Sequence, residues 1–205
     1  MAQRESGLYR LLGTPAVYSM VQRLIGGQDG RAVIVRDFIR PQSGDRILDI
    51  GCGPATMLQY LDEVSYTGID FNPSYIEEAK TRYGTRGIFL VQSVDELAAD
   101  LQQGFDIVLA IALLHHLSDA QSLSLFKSAR ACLRQGGRLI TLDCAWTAPQ
   151  NPVAKLLIKL DRGKNTRTPE EYERLARQEF ASVQSVVRTD LNRFPYTHCI
   201  MTCQS

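Results

Sequence analysis

A chain of 205 residues, 44% hydrophobic and 22% charged, can bury a full core and is too apolar to be disordered. Its net charge of +1 argues against a protein that coats nucleic acid, which needs a basic excess. No run of about 18 apolar residues suggests a membrane span, and the opening MAQRESGLYRLLG lacks a signal peptide's apolar core. Cys52, Cys132, Cys144, Cys199 and Cys203 show no paired spacing, as expected of reduced, buried thiols in a cytoplasmic protein.

In chain order, the patterning predicts helices over 15–25 and 30–40, stopped by Gly26 and Pro41. A strand over 45–50, a helix over 54–62 and a strand over 66–70 follow. Next come a helix over 73–83, a strand over 88–92 and a short helix over 95–102. FDIVLAIALL (105–114) is a continuous apolar run, as a strand buried on both faces should be. A helix over 119–134, closed by Gly136 and Gly137, leads to a strand over 138–144. Two helical segments are then expected before strands at 181–188 and 196–203, joined by TDLNRFP as an antiparallel hairpin. Thr14, Asn72, Asn151 and Thr168 each precede a proline, the pattern of an N-cap followed by the first helical residue. Thr168 with Glu171 and Ser118 with Gln121 also match the capping box. The β-α alternation implies a parallel sheet with right-handed crossovers.

The segment ILDIGCGPAT (47–56) carries the chemistry. Glycines at the carboxyl end of a first strand let backbone approach a ligand closely. In the dinucleotide pattern G-x-G-x-x-G, Gly51 and Gly53 fill two positions and Thr56 stands at the third. Asp49 is a poor neighbour for a pyrophosphate but suits a cation, and the ammonium of S-adenosylmethionine is one. Asp70, 19 residues beyond Gly51 at the end of the second strand, is placed to bond ribose hydroxyls.

These residues resemble a class I S-adenosylmethionine-dependent methyltransferase of the small stand-alone bacterial kind. ILDIGCGPA matches the family's first motif and GIDFNPSYIEEAK its second. FDIVLAIALLHHLSD matches the fourth-strand motif, and LRQGGRLITLD the stretch after it. The likeness covers about residues 45–145. It implies an α/β three-layer sandwich with a Rossmann-like, seven-stranded, mostly parallel sheet and an antiparallel edge hairpin. By position, Asp49, Gly51, Cys52 and Gly53 would face the methionine part, Asp70 the ribose and Phe71 the adenine. Gln92-Ser93 departs from the family's Gly-Asp, leaving Ser93 and the backbone of Val94 to meet the adenine. Ala110, Ile111 and His115 would border the methionine and the reacting methyl.

Methyl transfer is an in-line displacement from a sulfonium, so the enzyme mainly aligns the nucleophile and excludes water; a base is needed only when the acceptor must lose a proton. His115, past a strand's carboxyl end, and Asp143, ending the fifth strand, are the catalytic candidates. His115 also suits a role in shaping the pocket or capping the next helix, and Asp143 a role in a turn. No metal is expected, since the adjacent His115 and His116 should point apart. Tyr9 and Tyr18, Arg162 and Arg167 in the basic stretch 155–167, and His198 in the last strand are the substrate-side candidates. An amphipathic helix packed on the sheet and a solvated charged loop are the plainer roles for the first two groups.

One methyltransferase domain is therefore expected, with a helical cap (1–44), a cofactor-binding core (45–145), a substrate-side insertion (146–180) and an edge hairpin (181–205). The expected activity is methylation of a small-molecule acceptor, anionic or amphipathic in character, with S-adenosylhomocysteine as the other product, by a monomer or homodimer. The alternatives are a non-catalytic S-adenosylmethionine-binding module and a nucleic-acid methyltransferase. ALLHHL does not match the base-recognising NPPF or DPPY patterns of the latter.

Overall fold

A computed structural model describes residues 28–93, 104–161 and 163–204. The helices expected over 15–25 and 95–102, and Tyr9, Tyr18, Val94 and Arg162, lie outside the described residues. Strands β1 (Arg46–Ile50), β2 (Ser65–Asp70), β3 (Gly87–Val91), β4 (Phe105–Ile111), β5 (Leu133–Cys144), β6 (Ser182–Arg188) and β7 (His198–Gln204) form one seven-stranded sheet in the order β3-β2-β1-β4-β5-β7-β6. The first five pair in parallel, and β7 runs antiparallel between β5 and β6. β1 lies between β2 and β4, so the strand order reverses there and opens a crevice beyond the carboxyl ends.

Strand parity sorts the core into two layers. Leu48, Ile50, Val108, Ala110 and Leu139 pack on one face with Leu125, Phe126 and Ala129 of α3 (Asp119–Cys132) and Tyr172 and Leu175 of α5 (Pro169–Ala176). Ile47, Ile107, Leu109, Ile140 and Leu142 pack on the other, against Ile34 of α1 (Gln28–Ile34) and Ile76 and Ala79 of α2 (Pro73–Tyr83). A strand alternates sides, so FDIVLAI supplies both layers at once and must be apolar throughout. The result is the three-layer sandwich expected from the sequence.

The helix starts follow their caps. Asn72 accepts from Ser74 N–H, and Asn151 from Val153 N–H at the head of α4 (Pro152–Leu160). Ser118 and Thr168 form complete capping boxes. Each such cap is worth about 1 kcal/mol.

Three boundaries differ from expectation. The helix expected over 54–62 is one 3-10 turn, Thr56–Tyr60. Ala55 before it is left-handed (φ 54°), and Leu61 after it turns extended to bury fully in the core. Arg86 caps this short element by donating to the carbonyls of Leu58 and Leu61. The strand ending FDIVLAIALL stops at Ile111, because Ala112 adopts φ 56° and a 3-10 turn, Leu114–His116, follows. β5 starts at Leu133 rather than 138. Phe105 pairs with Leu133 but Ile107 with Arg138, so the strand absorbs Gly136 (φ 77°) and Gly137 as a bulge instead of using them as a stop.

Candidate functional site

The loop leaving β1 is shaped by three consecutive needs. Gly51 (φ 71°) turns the chain sharply, and its N–H and that of Cys52 both donate to Ile69 O. Gly53 adopts φ 54° with open space where a side chain would stand, so a ligand can reach the backbone there. Its N–H donates to Asp70 Oδ2 at 3.0 Å, and Asn72 N–H donates to Asp70 Oδ1 at 2.8 Å. One carboxylate thus fastens the β1 loop to the β2 loop across the crevice and keeps lone pairs for a ligand. Burial raises the Asp70 carboxyl, and the two backbone donors oppose that rise. Phe71 beside it presents a half-exposed ring, and Ser93 is half-buried at the end of the third strand's loop.

Asp49, buried at the end of β1, accepts from Tyr66 Oη at 2.7 Å. Burial pushes its carboxyl up to about 7; the Tyr66 bond works against that rise and the nearby Asp70 charge adds to it. Cys52 lies close to both acids, and burial raises its thiol.

At the ends of β4 and β5 the chain builds a second cluster. Ala110 is fully buried and Ile111 half-buried, and the Leu114–His116 turn brings His115 against Asp143. Asp143 Oδ1 accepts from the His115 backbone N–H at 3.1 Å and lies 2.7 Å from its Nδ1. On the ring's other side, Nε2 is 3.4 Å from Asp161 Oδ1. Burial works against a charge on His115, but the two carboxylates prevail and hold the ring well above the usual histidine range. The His115 ring, helped by the Gly163 N–H, in turn brings Asp161 down to about 2, against its own burial.

The insertion after β5 is strapped onto this ring. Gly163 N–H donates to Asp161 Oδ1 at 2.7 Å and Asn165 N–H to His115 O at 3.0 Å. Gly163 passes so close that a Cβ there would stand 2.2 Å from His115 Cδ2. Tyr196 Oη reaches Asp161 Oδ2 at 3.5 Å, and its ring lies 5.0 Å from that of His198. His198 is buried at the head of β7; burial and the neighbouring His115 bring it down to about 4, so it is neutral. Asp161, Gly163, Asn165, Tyr196 and His198 therefore gather around His115, a convergence that no local spacing discloses. The rings of His115 and His116 do not point apart: their centroids are 4.1 Å from each other, because a 3-10 turn brings successive side chains together more than a strand would.

Arg167 takes a different place from the substrate-side surface expected of it. It is buried, and its guanidinium donates to Leu114 O, Leu117 O, Asn165 O and Asp119 Oδ1, which spends all five N–H groups inside the protein. It braces the turn that carries His115. Beside the cluster, beyond the carboxyl end of β5, lies an open cavity of about 440 Å³. Gln150, Asn151, Asn192, Arg193, Phe194 and Tyr196 are among its walls. Sequence reasoning passed over Asp161, Tyr196 and Arg193; only the closeness of Asp161 to the basic stretch and the position of Tyr196 in the hairpin turn hinted at them.

The family model for a methyltransferase domain matches residues 48–139, from the core of β1 to β5. Over this core the chain is similar to a methyltransferase domain. The domain is 35% identical over 110 residues to 27-O-demethylrifamycin SV methyltransferase of Amycolatopsis mediterranei (strain S699), covering 50% of this chain and 39% of that protein. It is 29% identical over 102 residues to the ubiquinone biosynthesis O-methyltransferase of Xanthomonas euvesicatoria pv. vesicatoria (strain 85-10), covering 47% and 42%. The matched stretch spans about two fifths of these relatives' length. Among solved structures, Haemonchus contortus phosphoethanolamine N-methyltransferase 2 in complex with S-adenosyl-L-methionine superposes at a TM-score of 0.74, with 15% identity, over 97% of this chain and 59% of that one. A TehB-like methyltransferase from Corynebacterium glutamicum ATCC 13032 Kitasato gives 0.66 at 15% identity, covering 93% and 98%. At such identities these structures report the methyltransferase fold.

Proposed function

We propose that the chain transfers a methyl group from S-adenosylmethionine to an oxygen of a small-molecule acceptor. The observation that carries this reading is the β1 loop: Gly53 leaves open space at its backbone while Asp70 holds its N–H and retains acceptor capacity facing the crevice. Asp49, Gly51, Cys52 and Gly53 receive the methionine part, Asp70 the ribose, Phe71 and Ser93 the adenine, with Val94 as backbone donor. Ala110, Ile111 and His115 border the reacting methyl.

Displacement at a sulfonium carbon releases a neutral thioether and needs no acid; alignment at about 3 Å and exclusion of water supply most of the rate. An acceptor hydroxyl must also give up its proton. The His115–Asp143 pair at the ends of β4 and β5 lies beside that step; with its ring held protonated by two carboxylates, His115 can steady the developing oxyanion while the proton leaves to solvent. The cavity beside it supports the assignment of the acceptor site: its amide side chains suit a polar acceptor, Phe194 a ring, and Arg193 a negative charge. Oxygen as the receiving atom is supported by the ubiquinone biosynthesis relative, an O-methyltransferase by name. The five cysteines are all free, which supports a reducing, cytoplasmic setting, and no helix among the described residues is long and apolar enough to cross a membrane.

Calorimetric titration with S-adenosylhomocysteine, with NAD as control, tests the cofactor. Micromolar binding of the first and none of the second is expected. A panel of phenolic and carboxylated hydroxy acceptors, read by S-adenosylhomocysteine release, tests the acceptor class. Binding of NAD in place of S-adenosylhomocysteine would overturn the reading.

A further inference from the structure

We propose that His115, His116 and Asp161 form a binding site for a divalent transition-metal ion of the zinc, cobalt or manganese class. Their ligand atoms lie within 4.8 Å of one another, with His115 buried and the other two half-buried. The ring of His115 is fixed from behind: Asp143 takes Nδ1 at 2.7 Å, so in the neutral ring Nε2 carries the lone pair. A carboxylate behind a metal-bound histidine is the usual device for setting its tautomer and raising its basicity.

Nε2 faces Asp161 Oδ1, itself held by the Gly163 N–H. The ring nitrogen and the carboxylate oxygen can stand face to face with a proton between them, or with a metal ion in its place. A proton would draw the pair to about 2.7–2.9 Å, the length of a charge-assisted bond. The Asp143 side of the same ring is that short, yet the Asp161 side stands at 3.4 Å. Ligands about 2.1 Å from a tetrahedral ion lie about 3.4 Å apart, so this gap also admits an ion between the two groups.

His116 is the third ligand candidate, its ring nitrogen within 4.8 Å of the other two ligand atoms. Two imidazoles and one carboxylate suit zinc, cobalt or manganese better than calcium or magnesium, which prefer all-oxygen shells. Three protein ligands leave a position open, the arrangement of catalytic rather than structural sites. Asp161 has 30% of its side chain accessible against 6% for His115, so an outside ligand would approach from the Asp161 side. An acceptor oxygen bound there would lose its proton to solvent more readily. Only that last role rests on the methyl-transfer reading; ion binding does not.

The test uses the full chain, stripped with a chelator and titrated with Co²⁺ and with Zn²⁺ in the absence of any cofactor. One equivalent of Co²⁺ should bind, with visible d–d bands and no thiolate-to-cobalt charge-transfer band. Asp161→Asn and His116→Gln, each checked for folding by circular dichroism, should weaken binding by at least about tenfold. His198→Asn should leave binding unchanged. The proposal is overturned if the folded protein shows no saturable binding, if both ligand variants bind like wild type, or if a thiolate band shows that cysteines hold the ion. S-adenosylhomocysteine titrations of the same samples report separately on the methyltransferase reading.

Discussion

Asp49→Asn should make the protein more stable and a worse binder of its cofactor, and pH should show why. Burial holds the Asp49 carboxyl up at about 7, well above the value of roughly 4 for an unfolded aspartate. The folded state therefore keeps a proton that the unfolded chain gives up. This stabilising contribution is complete below about pH 4 and is lost as pH rises toward 7, after which it is flat. The full difference corresponds to on the order of 2–4 kcal/mol. Asparagine presents an oxygen to Tyr66 Oη with no charge to bury, so the variant should gain most over wild type at pH 8 and least at pH 4. Cofactor binding should run the other way, because the ammonium of S-adenosylhomocysteine needs the carboxylate. Between pH 6 and 8 the ionised fraction rises from about a tenth to about nine tenths, so affinity should rise about tenfold. Calorimetry near pH 6 in buffers of different ionisation enthalpy should show nearly one proton released, and none for the variant. A flat affinity profile in wild type, or the same slope in Asp49→Asn, would refute the coupling.

Three further outcomes follow from the geometry. Asp70→Ala should weaken S-adenosylhomocysteine binding by about 1–3 kcal/mol in calorimetry, since it removes the acceptor shared by Gly53 and Asn72 as well as the ribose contact. Arg167→Met should lower stability by about 1–3 kcal/mol in urea unfolding, because it leaves the carbonyls of Leu114 and Leu117 without their buried donors, and Arg167→Lys should recover only part of that. Gly163→Ala should cost about 1–3 kcal/mol in the same assay, as its Cβ would meet His115 Cδ2 and O; a loss confined to a few tenths would mean that the strap moves freely off the ring.

Much of the sheet is legible because parity and punctuation agree. FDIVLAI has to serve two layers, and Asn72, Ser118 and Thr168 announce their helices by chemistry that acts within three residues. The boundaries that moved are those where tertiary contacts override local preference. Leu61 leaves its helix to reach the core, and Gly136 bends a strand rather than ending a helix. The β1 and β2 loops were readable as a cofactor cradle from glycine spacing and the carboxylate after it. The cluster around His115 was legible only in its own element. Asp161 and Tyr196 reach it across 46 and 81 residues of chain, and nothing in their neighbourhoods points there. Arg167 shows the converse hazard. A basic stretch reads as a solvated surface, yet one of its members is the most completely bonded side chain near the site.

The place of β7 between β5 and β6 also sets an order of events during synthesis. β6 emerges from the ribosome before β7 but hydrogen-bonds to β7 alone, and β5 keeps a bare edge until β7 arrives. Parallel strands β1 to β5 can assemble as they appear; the antiparallel corner cannot close until residues 198–204 are out. A released chain cut short in the 189–197 turn would carry β6 with no partner and β5 with its ladder open, a template for pairing with another chain. The sheet is thus sealed by a strand that is made after the one it holds in place.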